Sequence, residues 1–277
     1  MKIHTVGLVG SGVMGAGIAE VAAKAGHTVV LRSRQLSAAA AMKTALAKSL
    51  AKQVERGKIA TDLADETLSR VTVTADLADL ADCDLILESV VEDIAIKKAL
   101  FAELDAVAKP GAILASNTST LSINDMALVT GRPESVCGVH FFNPAPAMAL
   151  VEIVRSLTSS DATIGAARAF AVACGKDVVD VLDEPGFIVN ALLFPYLNSA
   201  VRIFEQGRAS IADIDTAMKG GCNFPLGPFA LLDLVGLDTS VSILRALGET
   251  PAATITAMVD AGTLGRKSGA GFFSYAR

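Results

Sequence analysis

The sequence predicts an α/β chain: a doubly wound, mostly parallel sheet followed by an all-helical C-terminal region. Three observations point there. Short apolar runs alternate with helix-period segments through roughly the first two thirds of the 277 residues. A glycine-rich turn, "GSGVMG", joins the first apolar run to the first helix. Beyond Pro185–Gly186, in "LDEPGFIVN", only helical periodicity remains. The domains are therefore expected at 1–184 and 185–277, the first with a helical excursion at about 36–69.

Each element has its own warrant. "HTVGLVG" is a β-rich run that stops at glycine, and "VMGAGIAEVAAKAG" carries Ile18, Val21, Ala22 and Ala25 at helical spacing before ending at Gly26. "HTVVL" is the next short apolar run, so the first βαβ unit is complete within about 30 residues and its strands must be parallel. A long helical stretch runs from about Leu36 to Arg56, with a second short helix near Asp62 to Ser69. "RVTVT", "CDLILESV", "AILASNT", "SVCGVHFF" and "ALVEIV" supply further strands, and "VEDIAIKKALFAELDAVA" is a helix among them. In the C-terminal part, "FIVNALLFPYLNSAVRIFEQG", "SIADIDTAMKGG" and "FALLDLVGLDTSVSILRALG" all read as helical.

Composition excludes several function classes. The chain is 52% hydrophobic, yet no run of about 18 apolar residues is free of charges or breakers, so no membrane span is expected. "MKIHTVGLVG" passes straight into a strand, without the apolar segment of a secretory signal. Four scattered cysteines (Cys83, Cys137, Cys174, Cys222) form no CxxC pair, which suggests no zinc site or disulfide framework and a reducing cytoplasm as the location. A net charge of −5 argues against nucleic acid as the partner, although a local basic patch can still grip an anion.

In "GSGVMG", Gly10, Gly12 and Gly15 fit G-x-G-x-x-G between a strand and a helix. Gly10 permits the tight turn, Gly12 lets backbone approach a pyrophosphate, and Gly15 allows close helix–sheet packing. Val13 and Met14 open the helix whose N-terminus would face the phosphates. The context points to a dinucleotide. The bland alternative is a glycine turn with no ligand.

A second constellation comes by elimination among three histidines. His4 and His27 have structural explanations, at a strand start and after a helix-ending glycine. His140, in "GVHFFNP", ends a strand where a parallel sheet opens its ligand crevice. Glu152, in "LVEIV", is a carboxylate inside an apolar strand, where an acid needs a partner. Paired, they make a histidine base with its tautomer fixed by an acid. From spacing alone, a satisfied core histidine and an unrelated edge glutamate fit equally well.

Over nearly its whole length the chain resembles the short-chain 3-hydroxyacyl-CoA dehydrogenases, including bacterial 3-hydroxybutyryl-CoA dehydrogenases. The resemblance lies in "GLVGSGVMGAGIAE", "LILESVVEDIAIKKALFAEL", "ILASNTSTLSI", "GVHFFNPAPAMALVEIV", "GFIVNALLFPYLNSA", "GPFALLDLVGLD" and "LGRKSGAGFFSY", in the family's order. It implies a Rossmann-like domain plus a helical domain that makes a homodimer contact. It also implies interconversion of an (S)-3-hydroxyacyl thioester and the 3-ketoacyl thioester by a nicotinamide cofactor. On these matches His140 is the catalytic base and Glu152 its partner, while Ser119 hydrogen-bonds the reacting oxygen and Asn190 lies near the histidine. Glu92, Lys97, Asn143 and Lys267 match contacts to the nicotinamide half, and Asn117 and Ser119 are counted with the cofactor-binding positions.

Lys48, Lys52 and Arg56 fall on one face of the long helix, with Ser49 beside them. A solvated stripe explains that spacing unaided. The resemblance instead makes Ser49, Lys52 and Arg56 the grip on the coenzyme A nucleotide, with Ser119 also at the substrate. "SILRALGETPAATITAMVDAG" is shorter than the family's usual connection before its final helices, which puts the acyl-chain length in question. A free 3-hydroxyacid or acyl carrier protein substrate, and a non-enzymatic crystallin-like role, are the alternatives.

The cofactor end of the pattern departs from the family. In "VVLRSRQ", Ser33 stands where an Asp commonly pairs with the adenosine ribose, flanked by Arg32 and Arg34. Ser33 removes repulsion toward a 2′-phosphate and Arg34 offers a planar, permanently charged partner for it. NADP is therefore expected ahead of NAD.

Overall fold

The computed structural model describes residues 2–10 and 12–275, and the chain divides into compact units spanning Met1–Glu184 and Pro185–Arg277. The first unit is built on β1 (Thr5–Val9), α1 (Val13–Lys24), β2 (Thr28–Arg32), α2 (Leu36–Glu55), α3 (Thr61–Ser69) and β3 (Val71–Thr74). It continues with β4 (Leu85–Glu88), α4 (Ile94–Val107), β5 (Ile113–Ser116), α5 (Ile123–Ala127), β6 (Val136–Phe141), β7 (Leu150–Arg155), α6 (Asp161–Ala173) and β8 (Asp177–Leu182). The eight strands form one sheet in the order β3-β2-β1-β4-β5-β6-β7-β8. The chain order reverses between β1 and β4, which is where a doubly wound sheet opens its crevice.

β4, β5 and β6 are buried along their full length, as continuous apolar runs in the middle of a parallel sheet should be. Val6, Leu8, Leu85, Leu87, Val139 and Ile153 pack with Ile18 and Ala22 of α1 into one core. Every pairing is parallel except β6 with β7, where Gly138 faces Val154 and His140 faces Glu152. A Cβ at Gly138 would lie 2.7 Å from Val154 Cβ, so glycine is what allows these two strands to close.

The strand β8 was not among the runs that sequence pattern singles out. "DVVDVL" places an Asp at every third position and is half exposed at the sheet edge, so it lacks both the apolar run and the clean alternation of a half-buried strand. At the other end of the unit, Asp84 ties distant segments together. Its Oδ2 accepts the His4 and Thr5 amides at 2.7 and 2.9 Å, and its Oδ1 accepts Lys109 Nζ at 2.7 Å. All four cysteines are free, and burial pushes the Cys83 and Cys137 thiols up to about 11 and about 12.

The second unit contains α7 (Val189–Glu205), α8 (Ile211–Cys222), α9 (Pro228–Val235), α10 (Leu237–Ala246) and α11 (Ala253–Asp260). Phe194, Leu197, Val201, Phe229, Leu232, Val241 and Ile255 form its core. The stretch read as one helical run, "FALLDLVGLDTSVSILRALG", is two helices that break at Gly236, whose φ of +103° disfavours any other residue. Buried carboxylates hold this unit's loops. Asp215 accepts the Phe229 and Ala230 amides at the start of α9, and Asp233 accepts the Phe272 and Phe273 amides of the C-terminal segment. Among the described residues no helix is long and apolar enough to cross a membrane, and no cluster of His, Cys, Asp and Glu could hold a metal ion.

Candidate active site

A cleft of about 720 Å³ opens at the C-terminal ends of β1, β2 and β4. The glycine turn forms its floor. Gly10 sits at φ +137°, and a Cβ there would lie 2.2 Å from the Ser89 carbonyl oxygen. A Cβ at Gly15 would meet the Gly10 carbonyl oxygen at 2.7 Å, whereas one at Gly12 would meet nothing within 4 Å. Two glycines are thus required by protein packing. The third keeps backbone open toward the cleft, and a pyrophosphate above the start of α1 fits that opening. Val13 and Met14 line the same wall.

Arg32, Ser33 and Arg34 form the wall beyond β2. Ser33 is buried, its amide donating to the Thr74 carbonyl, and Arg32 Nε donates to the Ala75 carbonyl at 3.3 Å. Arg34 is exposed. Among the described residues that line the cleft, the end of β2 supplies Arg32, Ser33 and Arg34, and the one acid is Glu103 on α4.

His140 and Glu152 meet across the antiparallel β6–β7 pair. His140 Nδ1 lies 2.7 Å from Glu152 Oε2, with Glu152 fully buried and His140 nearly so. A carboxylate at Glu152 can only accept, so paired with it the imidazole donates through Nδ1. The register explains why residues twelve apart in sequence are neighbours in space: they are directly opposed partners on one face. The Phe142 ring packs 4.4 Å from the imidazole, centroid to centroid. Asn143 follows, exposed, in the connection to β7.

At the C-terminal ends of β4 and β5 lies a buried polar network. Lys97, on the first turns of α4, is 1% exposed and bonds Glu88 Oε1 at 2.6 Å and Glu92 Oε2 at 3.3 Å. Glu92 also accepts the Thr118 hydroxyl and, at 3.1 Å, the Ser119 amide. Asn117 accepts the Phe141 amide through Oδ1 at 2.8 Å, tying the end of β5 to the residue after His140. Without the resemblance, Glu92 and Lys97 read as a solvated helix start, since acids favour that end. Lys97 is instead interior. Glu88 and Ser116 were not singled out, although "LILES" carries a signal close to the one that marked Glu152: an acid in an apolar run, here at its end.

Lys48 and Lys52 on α2, and Arg56 just past its end, are exposed. Ser49 is turned inward, its hydroxyl donating to Glu20 Oε2 at 2.9 Å. Burial raises the Glu20 carboxyl, but hydrogen bonds from Lys24, Gln53 and Ser49 outweigh it and hold the group below its usual value. In the second unit, Asn190 is buried near the start of α7. Lys267 lies in the short 3₁₀ turn Arg266–Ser268, with Nζ 2.6 Å from Asp238 Oδ2.

Comparison with known proteins follows the two units. Residues 5–184 match the family model described as 3-hydroxyacyl-CoA dehydrogenase, NAD binding domain, and residues 186–275 match the C-terminal domain of the same family. The chain is 45% identical to a 3-hydroxybutyryl-CoA dehydrogenase of Mycobacterium tuberculosis, covering 99% of each. It is 41% identical to the human mitochondrial hydroxyacyl-coenzyme A dehydrogenase, covering 99% of this chain and 91% of that one. The crystal structure of an (S)-3-hydroxybutyryl-CoA dehydrogenase from Ralstonia eutropha superposes with a TM-score of 0.96 at 38% identity, covering 100% of both chains.

Proposed function

The chain belongs to the 3-hydroxyacyl-CoA dehydrogenase family, oxidoreductases acting on CH–OH donors, and we propose that it interconverts (S)-3-hydroxybutyryl-CoA and acetoacetyl-CoA with NADP(H) preferred over NAD(H). The observation that carries the reaction is the buried His140–Glu152 pair at 2.7 Å. In the oxidative direction the C3 hydroxyl must lose its proton as the carbonyl forms. Neutral His140 accepts it at Nε2, and Glu152 offsets the positive charge that then develops on the ring. In reduction His140 returns the proton. A bound nicotinamide cofactor would supply or take the hydride. Ser119 orients the reacting oxygen, which is a positioning role. Glu92, Lys97, Asn117 and Asn143 serve the nicotinamide half, and Lys52 and Arg56 grip the coenzyme A nucleotide.

Support for NADP comes from the wall beyond β2, where the described residues that line the cleft are Arg32, Ser33 and Arg34. A charge-assisted hydrogen bond to a 2′-phosphate contributes about 1.5–3 kcal/mol, so kcat/KM for NADPH should exceed that for NADH by at least about tenfold. Initial rates on 3-ketoacyl-CoAs from four to twelve carbons with each cofactor test reaction, chain length and preference together. Preference for NADH would remove the 2′-phosphate reading. Absence of turnover with acetoacetyl-CoA would remove the function. Ser33→Asp combined with Arg34→Ala should reverse the cofactor order. The helical unit is proposed to pair two copies into a homodimer in the cytoplasm, which sedimentation at twice the chain mass would bear out.

A further inference from the structure

Glu88 is fully buried and Lys97 is 1% exposed, and neither has an assigned task in proton transfer. Two ionised side chains withdrawn from water at this depth need every lone pair and proton used. Glu88 meets that demand with three donors. Its Oε1 accepts Lys97 Nζ at 2.6 Å and the Val90 amide at 2.5 Å, and its Oε2 accepts Ser116 Oγ at 2.7 Å. One of the three, the Val90 amide, belongs to the cleft. Ser89, Val90 and Val91 line it directly. Ser116 Oγ accepts the Thr118 amide at 3.1 Å. Lys97 reaches on to Glu92, whose other oxygen gathers the Thr118 and Thr120 hydroxyls and the Ser119 amide. The segment 118–120 is therefore tethered twice, through Ser116 and through Lys97 and Glu92, to one buried carboxylate.

The placement of this network decides what it serves. The glycine turn and the Arg32–Arg34 wall belong to β1 and β2, on one side of the point where strand order reverses. A dinucleotide whose adenosine half lies there extends its other half across the reversal, over the ends of β4 and β5. Of the two carboxylates on Lys97, Glu88 is sealed in protein and Glu92 is 40% exposed. One anchors the ammonium, and the other faces outward on it.

We propose that Glu88 is a positioning residue for the nicotinamide half of the cofactor, acting through Lys97, Ser116 and Glu92 to hold the 118–120 segment. This rests on the cofactor reading given above. Glu88→Gln keeps the size and most hydrogen-bonding capacity while removing the charge that fixes Lys97. Calorimetric titration compares two probes for each protein: reduced NADPH or NADH, and the corresponding ADP-ribose or 2′-phospho-ADP-ribose, which lacks nicotinamide. Loss of a charged hydrogen bond in the tether should weaken reduced-cofactor binding by about tenfold or more and leave the nicotinamide-free ligand unchanged. Equal weakening of both ligands, or weakening of neither, would overturn the proposal. If the Gln variant does not fold, Ser116→Ala, which removes one donor to Glu88 and cuts one of the two tethers, is titrated in its place, with the same two readings. Failure of both variants to fold assigns Glu88 to stability alone and overturns it as well. Wild-type protein that binds neither reduced cofactor would instead overturn the cofactor reading on which this one stands.

Discussion

Two buried acids end or interrupt apolar strands in the first unit, and they do different things. Glu152 faces one imidazole nitrogen, and Glu88 faces an ammonium. In the proposed reaction the first arrangement takes a proton and returns it. The second holds a permanent charge still. His140→Ala should therefore lower kcat by roughly 10²- to 10⁴-fold, the span usual for a general base, while cofactor binding measured by fluorescence titration stays intact. Glu152→Gln keeps an acceptor for Nδ1–H but cannot offset the imidazolium, so kcat should fall with KM little changed. Near wild-type turnover in either folded variant would remove the pair from the chemistry.

Among the elements, the β6–β7 pair and α2 matter most to the site. β6 and β7 approach closely because Gly138 has no Cβ to meet Val154. Gly138→Ala must separate strands whose register aligns the pair two residues further on. A stability loss of about 1–3 kcal/mol is expected from such overpacking, with a lowered Tm and a disproportionate loss of kcat. A variant with unchanged melting and unchanged turnover would show that the strands tolerate the gap. Lys48 and Lys52 on α2, and Arg56 just past its end, are exposed, whereas Ser49 is spent on Glu20. Lys52→Ala with Arg56→Ala should raise KM for acetoacetyl-CoA roughly two- to thirtyfold, given ~0.2–1 kcal/mol for each exposed charge. The difference from wild type should close as salt rises, because solvent-exposed charges are screened. A salt-independent KM would place the nucleotide elsewhere.

Across the whole molecule, acid should act first through carboxylates that the fold has made strong. Burial alone would raise Asp84, but hydrogen bonds from Lys109 and from the Thr5 and His4 amides bring it from 3.8 down to about 2. The folded chain thus binds fewer protons than the unfolded one between those values, so its contribution is full above pH 4 and vanishes as pH falls toward 2. Asp84→Asn should cost roughly 1 kcal/mol at neutral pH, allowing for solvent screening, and nothing near pH 2. Denaturant midpoints that differ equally at both pH values would contradict that linkage.

How much of this was legible beforehand follows the reach of each signal. The glycine turn, the first βαβ unit and the apolar central strands are local patterns, and they read directly. The half-exposed β8 carries Asp where alternation would want apolar residues, and it did not. The tether of Lys97 to Glu88 joins a helix to a strand across an intervening loop, and Ser49 to Glu20 joins two helices; no periodicity encodes either.

The face-to-face meeting of His140 and Glu152 has a consequence for chain length. Side chains on a strand alternate between the two faces of a sheet, so a single extra residue moves everything beyond it to the other side. One alanine inserted after Gly138 would turn His140 away from Glu152 or drag the whole strand out of its buried setting. The same residue inserted beside Gly57, in the open turn between α2 and α3, adds length where nothing lies within 4 Å. Turnover should disappear in the first case and persist in the second, which would make this enzyme tolerant of growth at its helical rim and intolerant of a single added residue in the strand that holds its base.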